Sequence, residues 1–339
     1  MMNDDRPESS LRVAVEEALE RNDSEEVAAL VSGLQSASVE TRKACLRSLK
    51  TAVGDDPDLV EPALTACEPF LKDEERSMRL TTAKLFVAAA DADPEAVVPM
   101  VPALAGRLAA DEEFYYVRAR SAEALGYVAL DHPDTVASPE MLADLKIGLS
   151  FDEPEVKEKL AKALEYVALG DPGRLAHQVS SLAEHLDDDQ ELVRYHVGTA
   201  LVLVGCDSPE TLAAARDALA ARLTDENAYV RGRAAEALAL LTRSETTDSV
   251  LPESELVTVA DDEESFAAER ARFALGATSE GDASRDSADG IGTVESVHGT
   301  TQGIVENITA PDADDECPHC GLALPEDGPP MCPRCGAPY

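Results

Sequence analysis

Asp225-Glu226-Asn227-Ala228-Tyr229-Val230-Arg231-Gly232-Arg233-Ala234-Ala235-Glu236-Ala237-Leu238 decides how the whole chain is read. An acidic turn leads into Val-Arg, and small or apolar residues then recur at helical spacing. With Val230 as position one, the pattern overlays six other segments, which start at Thr41, Met78, Val117, Val156, Val193 and Ala267. The starts lie 37, 39, 39, 37, 37 and 37 residues apart. Ala122, Leu125, Val128 and Ala129 show the spacing well, as do Ala161, Leu164, Val167 and Ala168. It puts them on one face of a helix. A second helical pattern precedes each segment, for example over 25–35, 62–71, 98–108, 141–149, 175–186 and 211–223. Acidic turns separate the two, as at Asp73-Glu74-Glu75 and Asp187-Asp188-Asp189. Asp and Asn favour helix N-caps, so each cluster ends one helix and opens the next. Such a pair cannot bury its apolar face alone, so the expected fold is an all-α solenoid of stacked helix pairs.

These segments resemble the HEAT repeat family, in its short HEAT-like form of the PBS-lyase type. The resemblance is carried by Asp225-x4-Val230-Arg231-x2-Ala234-Ala235-x-Ala237-Leu238 and by the segment 117–126, and it spans about residues 10–278. It implies that the second helices line a concave face. It also implies that Asp and Arg pair between neighbouring repeats as a ladder. On this sequence the ladder residues are Arg42, Arg79, Arg118, Lys157, Arg194 and Arg231 at position two, with Asp73, Asp188 and Asp225 five residues before a repeat start. A cation near a helix N-terminus needs such an acid partner. Ala268 stands where the other repeats have Arg or Lys, which marks a terminal cap, and 11–20 reads as the N-terminal cap. The solenoid is expected over 11–278, after a disordered 1–10. The family implies adaptor roles, including signalling and archaeal taxis, and selects none of them.

The 339 residues include 67 Asp and Glu against 29 Lys and Arg, a formal net charge of −38. A hydrophobic fraction of 44% is enough for a core, so the chain is no disordered acidic tail. The charge argues against a general nucleic-acid binder, because phosphate is repelled at long range. An acidic surface poor in Lys fits a cytosol with multimolar salt, so a halophilic, haloarchaeal source is expected. Residues 1–10 are polar and acidic, and no apolar run reaches the roughly 18–20 residues that span a membrane. A soluble, cytoplasmic protein is expected.

The cations are unevenly placed. The seven second-helix segments hold sixteen cations to five acids, a surplus of +11 against −49 over the rest. Position four carries Arg120, Lys159, His196, Arg233 and Arg270, and position seven adds Arg47, Lys84 and Lys162. Position four is expected on the exposed side. Two readings stay open there, a solvated charged face and a groove for an acidic protein segment. Tyr127 and Tyr166 share one position in adjacent repeats, and Phe114-Tyr115-Tyr116 precedes the third. Tyr is enriched at interfaces, but such rings also pack between repeats.

Residues 279–315 change character and read as an acidic flexible linker with one weak apolar stretch over 303–308. A short β-hairpin around Ile304 and Val305 is the alternative. Then come Cys317-Pro318-His319-Cys320-Gly321 and Cys332-Pro333-Arg334-Cys335-Gly336. Two Cys-x2-Cys knuckles at this separation are a strong zinc signal. Pro fixes the turn, and Gly after the second Cys permits positive φ. Residues 316–339 resemble a minimal zinc ribbon, with Cys317, Cys320, Cys332 and Cys335 holding one structural Zn2+. Four thiolates leave no open position for water. So small a module folds with its metal.

Catalytic constellations are missing from the sequence. None of the six His is followed by Glu, which excludes the His-Glu di-iron hydroxylase chemistry of some HEAT-like proteins. There is no phosphate loop and no Gly-x-Ser-x-Gly elbow. Cys45, Cys67 and Cys206 lie in apolar helical patterns and read as core residues rather than nucleophiles. The expected function is a non-catalytic protein-interaction scaffold, with the ribbon as a tethered second contact that raises effective concentration. Its partners are other proteins, in particular acidic segments, with no membrane and no small-molecule substrate. The alternative is a nucleic-acid-associated protein binding through the basic second-helix face and ribbon, and the third reading is a HEAT-like enzyme or lyase.

Overall fold

The computed structural model describes residues 8–243, 251–277 and 290–309. The four ribbon cysteines, residues 1–7 and the remainder of the expected linker lie outside the described residues. Among the described residues every regular element is helical. The seven second helices are α1 (Val39–Asp55), α2 (Arg76–Ala92), α3 (Tyr115–Asp131), α4 (Pro154–Gly170), α5 (Glu191–Asp207), α6 (Ala228–Leu241) and α7 (Ser265–Ala277). The first five have 17 residues each.

Proline sets where second helices stop. Pro57, Pro94, Pro133 and Pro209 each open the next element within two residues of the end of α1, α2, α3 and α5. A proline at the first helical position gives up an N–H that has no partner there anyway, and its ring prevents the preceding helix from continuing. The first helices are shorter and broken. Pro94–Val97, Val98–Met100 and Val101–Leu108 succeed one another as α, 3-10 and α turns. Pro99 and Pro102 lack the N–H that a continuous helix would use.

Two compact units divide the chain, Met1–Arg174 with α1–α4 and Leu175–Tyr339 with α5–α7. In the first unit α1 buries the stripe Cys45, Leu46, Leu49 and Val53. The thiols of Cys45 and Cys67 are pushed up by burial, to about 11 and about 12, which suits core residues. Helices α3 and α4 approach closely at Gly126, where a Cβ would meet the Ala163 Cα at 2.9 Å. In the second unit α5 is buried without a break from Leu192 to Gly205, and α6 from Gly232 to Leu241. Both are apolar around most of their circumference, as a helix covered on all sides must be.

Arginines at position two tie consecutive repeats. Arg194 Nε and Nη2 donate to the two Asp225 carboxylate oxygens at 2.8 and 2.9 Å, while Nη1 donates to the Asp188 and Asp189 carbonyls. Arg231 repeats this on Asp262 ahead and on the Asp225 and Glu226 carbonyls behind. Arg42 pairs with Asp73, and Arg79 reaches Glu113 in a bidentate pair at 2.8–3.0 Å. Arg118 departs from the pattern. The residue five before the next repeat start is Phe151, and the Arg118 guanidinium stacks over that ring while donating to the Leu108 carbonyl. The turn aspartates are not themselves N-caps. Asp73, Asp188, Asp225 and Asp262 each accept from the amide two residues on. Glu75, Gln190 and Asn227 occupy the caps.

The expected linker contains a helix. Residues Val294–Ile308 form α8, with Thr293 as N-cap accepting from the Ser296 amide. The β-hairpin alternative around Ile304 and Val305 is overturned with it. Val297, Thr301 and Ile304 are buried at helical spacing. Ile304 joins Tyr195, Val230 and Phe266 in one core cluster. The Gly- and Thr-rich sequence has weak helix propensity, so the surface beneath it decides the conformation.

Replacing Arg194 by Ala should destabilise the second unit by about 3 kcal/mol, because the Asp225 carboxylate would remain buried without its main partner. Urea denaturation followed by circular dichroism measures this. Arg42→Ala, at a more exposed rung, should cost less.

Candidate functional site

Within each unit, consecutive second helices bring positions four, seven and eleven into a ridge. In the first unit these positions are Ala44, Arg47 and Thr51 on α1, and Thr81, Lys84 and Ala88 on α2. Arg120, Glu123 and Tyr127 follow on α3, and Lys159, Lys162 and Tyr166 on α4. In the second unit they are His196, Thr199 and Leu203 on α5, Arg233, Glu236 and Leu240 on α6, and Arg270, Phe273 and Ala277 on α7.

The α3–α4 part of the ridge is an ion cluster built on Glu123. Arg120 Nη1 donates to Glu123 Oε2 at 2.6 Å, and the ammoniums of Lys159 and Lys162 lie 3.7 and 3.6 Å from Oε1. Burial alone would raise the Glu123 carboxyl, but Lys159, Arg120 and Lys162 together hold it down at about 2. Burial works against the Lys162 charge, yet Glu123 and the two tyrosines keep it firmly protonated. Lys162 Nζ donates to Tyr127 Oη at 3.0 Å and sits 4.8 and 5.2 Å from the Tyr127 and Tyr166 ring centroids. The two rings meet edge-on at 5.2 Å. Tyr127 and Tyr166 are therefore packed between repeats and around Lys162, with part of each ring still exposed. Phe114, Tyr115 and Tyr116 pack on one another at 4.6–5.3 Å, and Arg76 covers Phe114.

The α1–α2 part differs. Arg47 and Lys50 are exposed and Lys84 is half-buried. No ion pair or hydrogen bond of their side chains is found among the described residues. The Lys84 ammonium is pushed below its ordinary value by burial and then by the nearby positive charges of Arg120, Lys50 and Arg47, against a smaller opposing pull from Glu155. Ala44, Thr81 and Ala88 flank these cations and leave them accessible from solvent. Lys50 is an addition to the cations singled out at positions four and seven. It lies three residues after Arg47, the spacing that puts two side chains on one helix face.

In the second unit position four is not exposed, against expectation. His196 is 1% exposed, Arg233 0% and Arg270 3%. Arg233 Nη1 and Arg270 Nε both donate to Glu236 Oε2, at 2.9 and 2.8 Å. Glu236 Oε1 accepts from the Gly292 amide at 2.9 Å. Burial opposes the Glu236 charge, and Arg233 and Arg270 hold its carboxyl below the usual range. The cover is α8 and the turn before it. Arg233 Nη2 donates to Thr300 Oγ1 at 3.2 Å and to Tyr195 Oη at 3.3 Å. Gly292 has φ +79, and a Cβ there would press on Arg243, Leu240 and Phe273 at 3.2 Å. The aromatic rings of Tyr195 and Phe266 lie 5.7 and 5.2 Å from the Arg233 guanidinium.

No group of three or more metal-binding side chains occurs among the described residues. No described helix is long and apolar enough to cross a membrane. Cys206, like Cys45 and Cys67, has its thiol pushed up by burial, to about 12, which leaves little thiolate for nucleophilic chemistry.

The chain is an all-α helical-repeat protein with a charged second-helix face. No protein-family model matches it, and no curated protein does either. Solved structures do. An engineered protein superposes with a TM-score of 0.67 at 20% identity, covering 80% of this chain and 73% of its own. A designed armadillo repeat protein in complex with the peptide (KR)4 gives 0.57 at 19% identity, over 63% of this chain and 98% of that one. Computationally designed armadillo repeat proteins for modular peptide recognition give 0.52 at 17%, over 74% and 98%. At these identities the likeness is one of fold.

Glu123 carries a pH signature. Its folded value, about 2, lies below the ordinary value of 4.5. Its stabilisation is therefore complete above about pH 5 and lost as pH falls toward 2. Glu123→Gln should destabilise the first unit at pH 7 by about 2–3 kcal/mol. The gap between wild type and variant should close on acidification. Urea midpoints from pH 7 to pH 2.5 measure it.

Proposed function

We propose that the chain is a non-catalytic protein-interaction scaffold whose first-unit second-helix face takes acidic segments of other proteins. The observation that carries this is the cluster Arg47, Lys50 and Lys84, three neighbouring cations that make no ion pair among the described residues, Glu155 acting on Lys84 only from farther off. They occur on a chain with 67 acids to 29 cations, where almost any surface cation can find an acid nearby. Leaving three together unpaired favours an external anion as their partner. The small residues around them admit a chain segment, and the tyrosines further along the ridge offer flat contact area. Peptide recognition by designed armadillo repeat proteins of similar fold supports the class of ligand. The peptide in that complex, (KR)4, is basic, so the likeness supports a peptide ligand, while the acidic sign rests on the cations of this chain alone.

The tail supplies a second contact in this reading. Cys317, Cys320, Cys332 and Cys335 form a donor set of four thiolates in two Cys-x2-Cys pairs, which is the all-sulfur set a structural zinc takes. They would hold one ion and shape the residues between them into a ribbon. No step of chemistry is asked of it.

The triple variant Arg47→Glu, Lys50→Glu, Lys84→Glu should weaken binding of a fluorescein-labelled Asp/Glu-rich peptide at least tenfold, at roughly 0.5–1 kcal/mol per charge. Fluorescence anisotropy at fixed salt reads this out. Equal affinity in wild type and variant would remove the face from the proposal. Tight, salt-steep binding of duplex DNA in place of peptide would instead support the nucleic-acid reading. Metal analysis of the purified full chain should give one zinc per molecule. Cys332→Ser should lose it and leave the unfolding transition of the repeats unchanged, since ribbon and repeats share no core in this reading.

A further inference from the structure

Helix α8 does not cap the end of the stack. It packs mainly on α5, and Ile304 joins Tyr195, Val230 and Phe266 in one core cluster. Gly292, just before it, packs on Leu240 and Phe273, Thr300 meets Arg233, and Tyr229 packs against the cluster that holds Ile304. Helix α8 therefore runs antiparallel to α6 with its backbone nearest α5, reaching α6 through Thr300 and the turn at Gly292. With the turn before it, it covers Arg233, Glu236 and Leu240, at ridge positions four, seven and eleven, whose counterparts in the first unit are mostly part-exposed.

The attachment is weak for a permanent core element. Only Val297, Thr301 and Ile304 of its fifteen residues are buried. Gly299 and Gly303 lie inside it, both exposed, and neither favours a helix. The seat beneath is polar. Arg233 has 0% exposure, and its Nε has no acceptor. A hydroxyl, Thr300 Oγ1, is the only group α8 offers that guanidinium. Removing α8 would let water reach a buried ion cluster, which lowers its desolvation cost and offsets part of the lost apolar contact.

We propose that α8 is a displaceable occupant of a helix-binding face, and that an acidic amphipathic helix of a partner protein takes its place. That helix presents a carboxylate to Arg233 where α8 presents Thr300. A carboxylate on a guanidinium makes a stronger bond than a neutral hydroxyl does. Apolar residues at the places of Val297, Ile304 and Ile308 complete the match. The partner class follows from the proposed taste of second-helix faces for acidic segments, but the site and the helical form of the ligand are separate claims.

The test uses the full chain without substitution. In native-state hydrogen exchange, amides of residues 298–308 should exchange at least 100-fold faster than the core amides of α5 and α6. Exchange at the same rate as α5 and α6 would overturn the proposal, because α8 would then open only with the whole unit. A synthetic peptide of residues 293–309 carrying Thr300→Glu should bind at least tenfold more tightly than the unsubstituted peptide. Its binding should speed exchange in 298–308 at least another tenfold. Equal affinity of the two peptides, or binding that leaves 298–308 protected, would overturn it. Binding abolished by Arg47→Glu, Lys50→Glu, Lys84→Glu would place the peptide on the first unit, which overturns this inference and upholds the earlier one.

Discussion

One guanidinium at position two joins two turns of the repeat. Arg194 takes the carbonyls of Asp188 and Asp189 behind it and the carboxylate of Asp225 ahead. Both ends are fixed by charge-assisted bonds of defined direction, which sets how far one repeat sits from the next. Arg231 does the same between Asp225 and Asp262, so Asp225 faces one arginine with its carboxylate and the next with its carbonyl. Apolar burial alone would hold the helices together without fixing their register, because it has no direction. The rungs supply the direction. Where the acid is replaced by Phe151, Arg118 turns to the ring and to a carbonyl, and a stacking contact takes the place of the ion pair.

Register has a consequence for charge. Once the second helices are in step, positions four, seven and eleven of each fall beside those of the next. Cations placed there gather whether or not they have partners. In α3 and α4 they gather on Glu123, and in α6 and α7 on Glu236. Both are carboxylates at position seven facing cations at position four of their own and the following helix. The cluster on Glu236 is sealed by α8 and the one on Glu123 is partly open. In α1 and α2 position seven is itself a cation, Arg47 or Lys84, and there no carboxylate closes the cluster. The same architecture thus gives a neutralised site or a positive one, depending on the residue at position seven.

The sequence displayed the rungs more clearly than it displayed the ridge. Arg42 and Arg194 could be paired with Asp73 and Asp225 from the repeat resemblance, because both partners belong to the repeat, whereas Asp262, the partner of Arg231, was not among the expected acids. Position four could not be read the same way. A helical wheel puts Arg233 and Arg270 on the open side of an isolated helix pair, and what covers Arg233 lies about 60 residues further on, in a stretch rich in Gly, Ser and Thr. Composition described residues 294–308 as linker because their helicity comes from contact with Tyr195, Val230 and Phe266 rather than from propensity. Lys50 escaped notice for a simpler reason. It lies outside the positions that repeat from unit to unit, and only its proximity to Lys84 gives it a place in the cluster.

On the proposed function, an acidic chain taking acidic segments faces opposed fields. The whole molecule, at −38, repels such a ligand from a distance, while Arg47, Lys50 and Lys84 attract it within a few ångströms. Salt separates the two ranges. At about 0.1 M the screening length is roughly 10 Å, so the far field of the body has faded before the ligand meets the cluster. At 1 M it is about 3 Å, and contact pairs begin to weaken as well. Affinity should therefore depend on salt less steeply than for a basic protein binding an anion, because repulsion and attraction are screened together. A partner that adds apolar contact, as a helix seated along the ridge would, loses least at high salt, since burial of apolar surface is not screened. On an acidic surface of this kind, cations mark where a ligand registers, and shape has to hold it there.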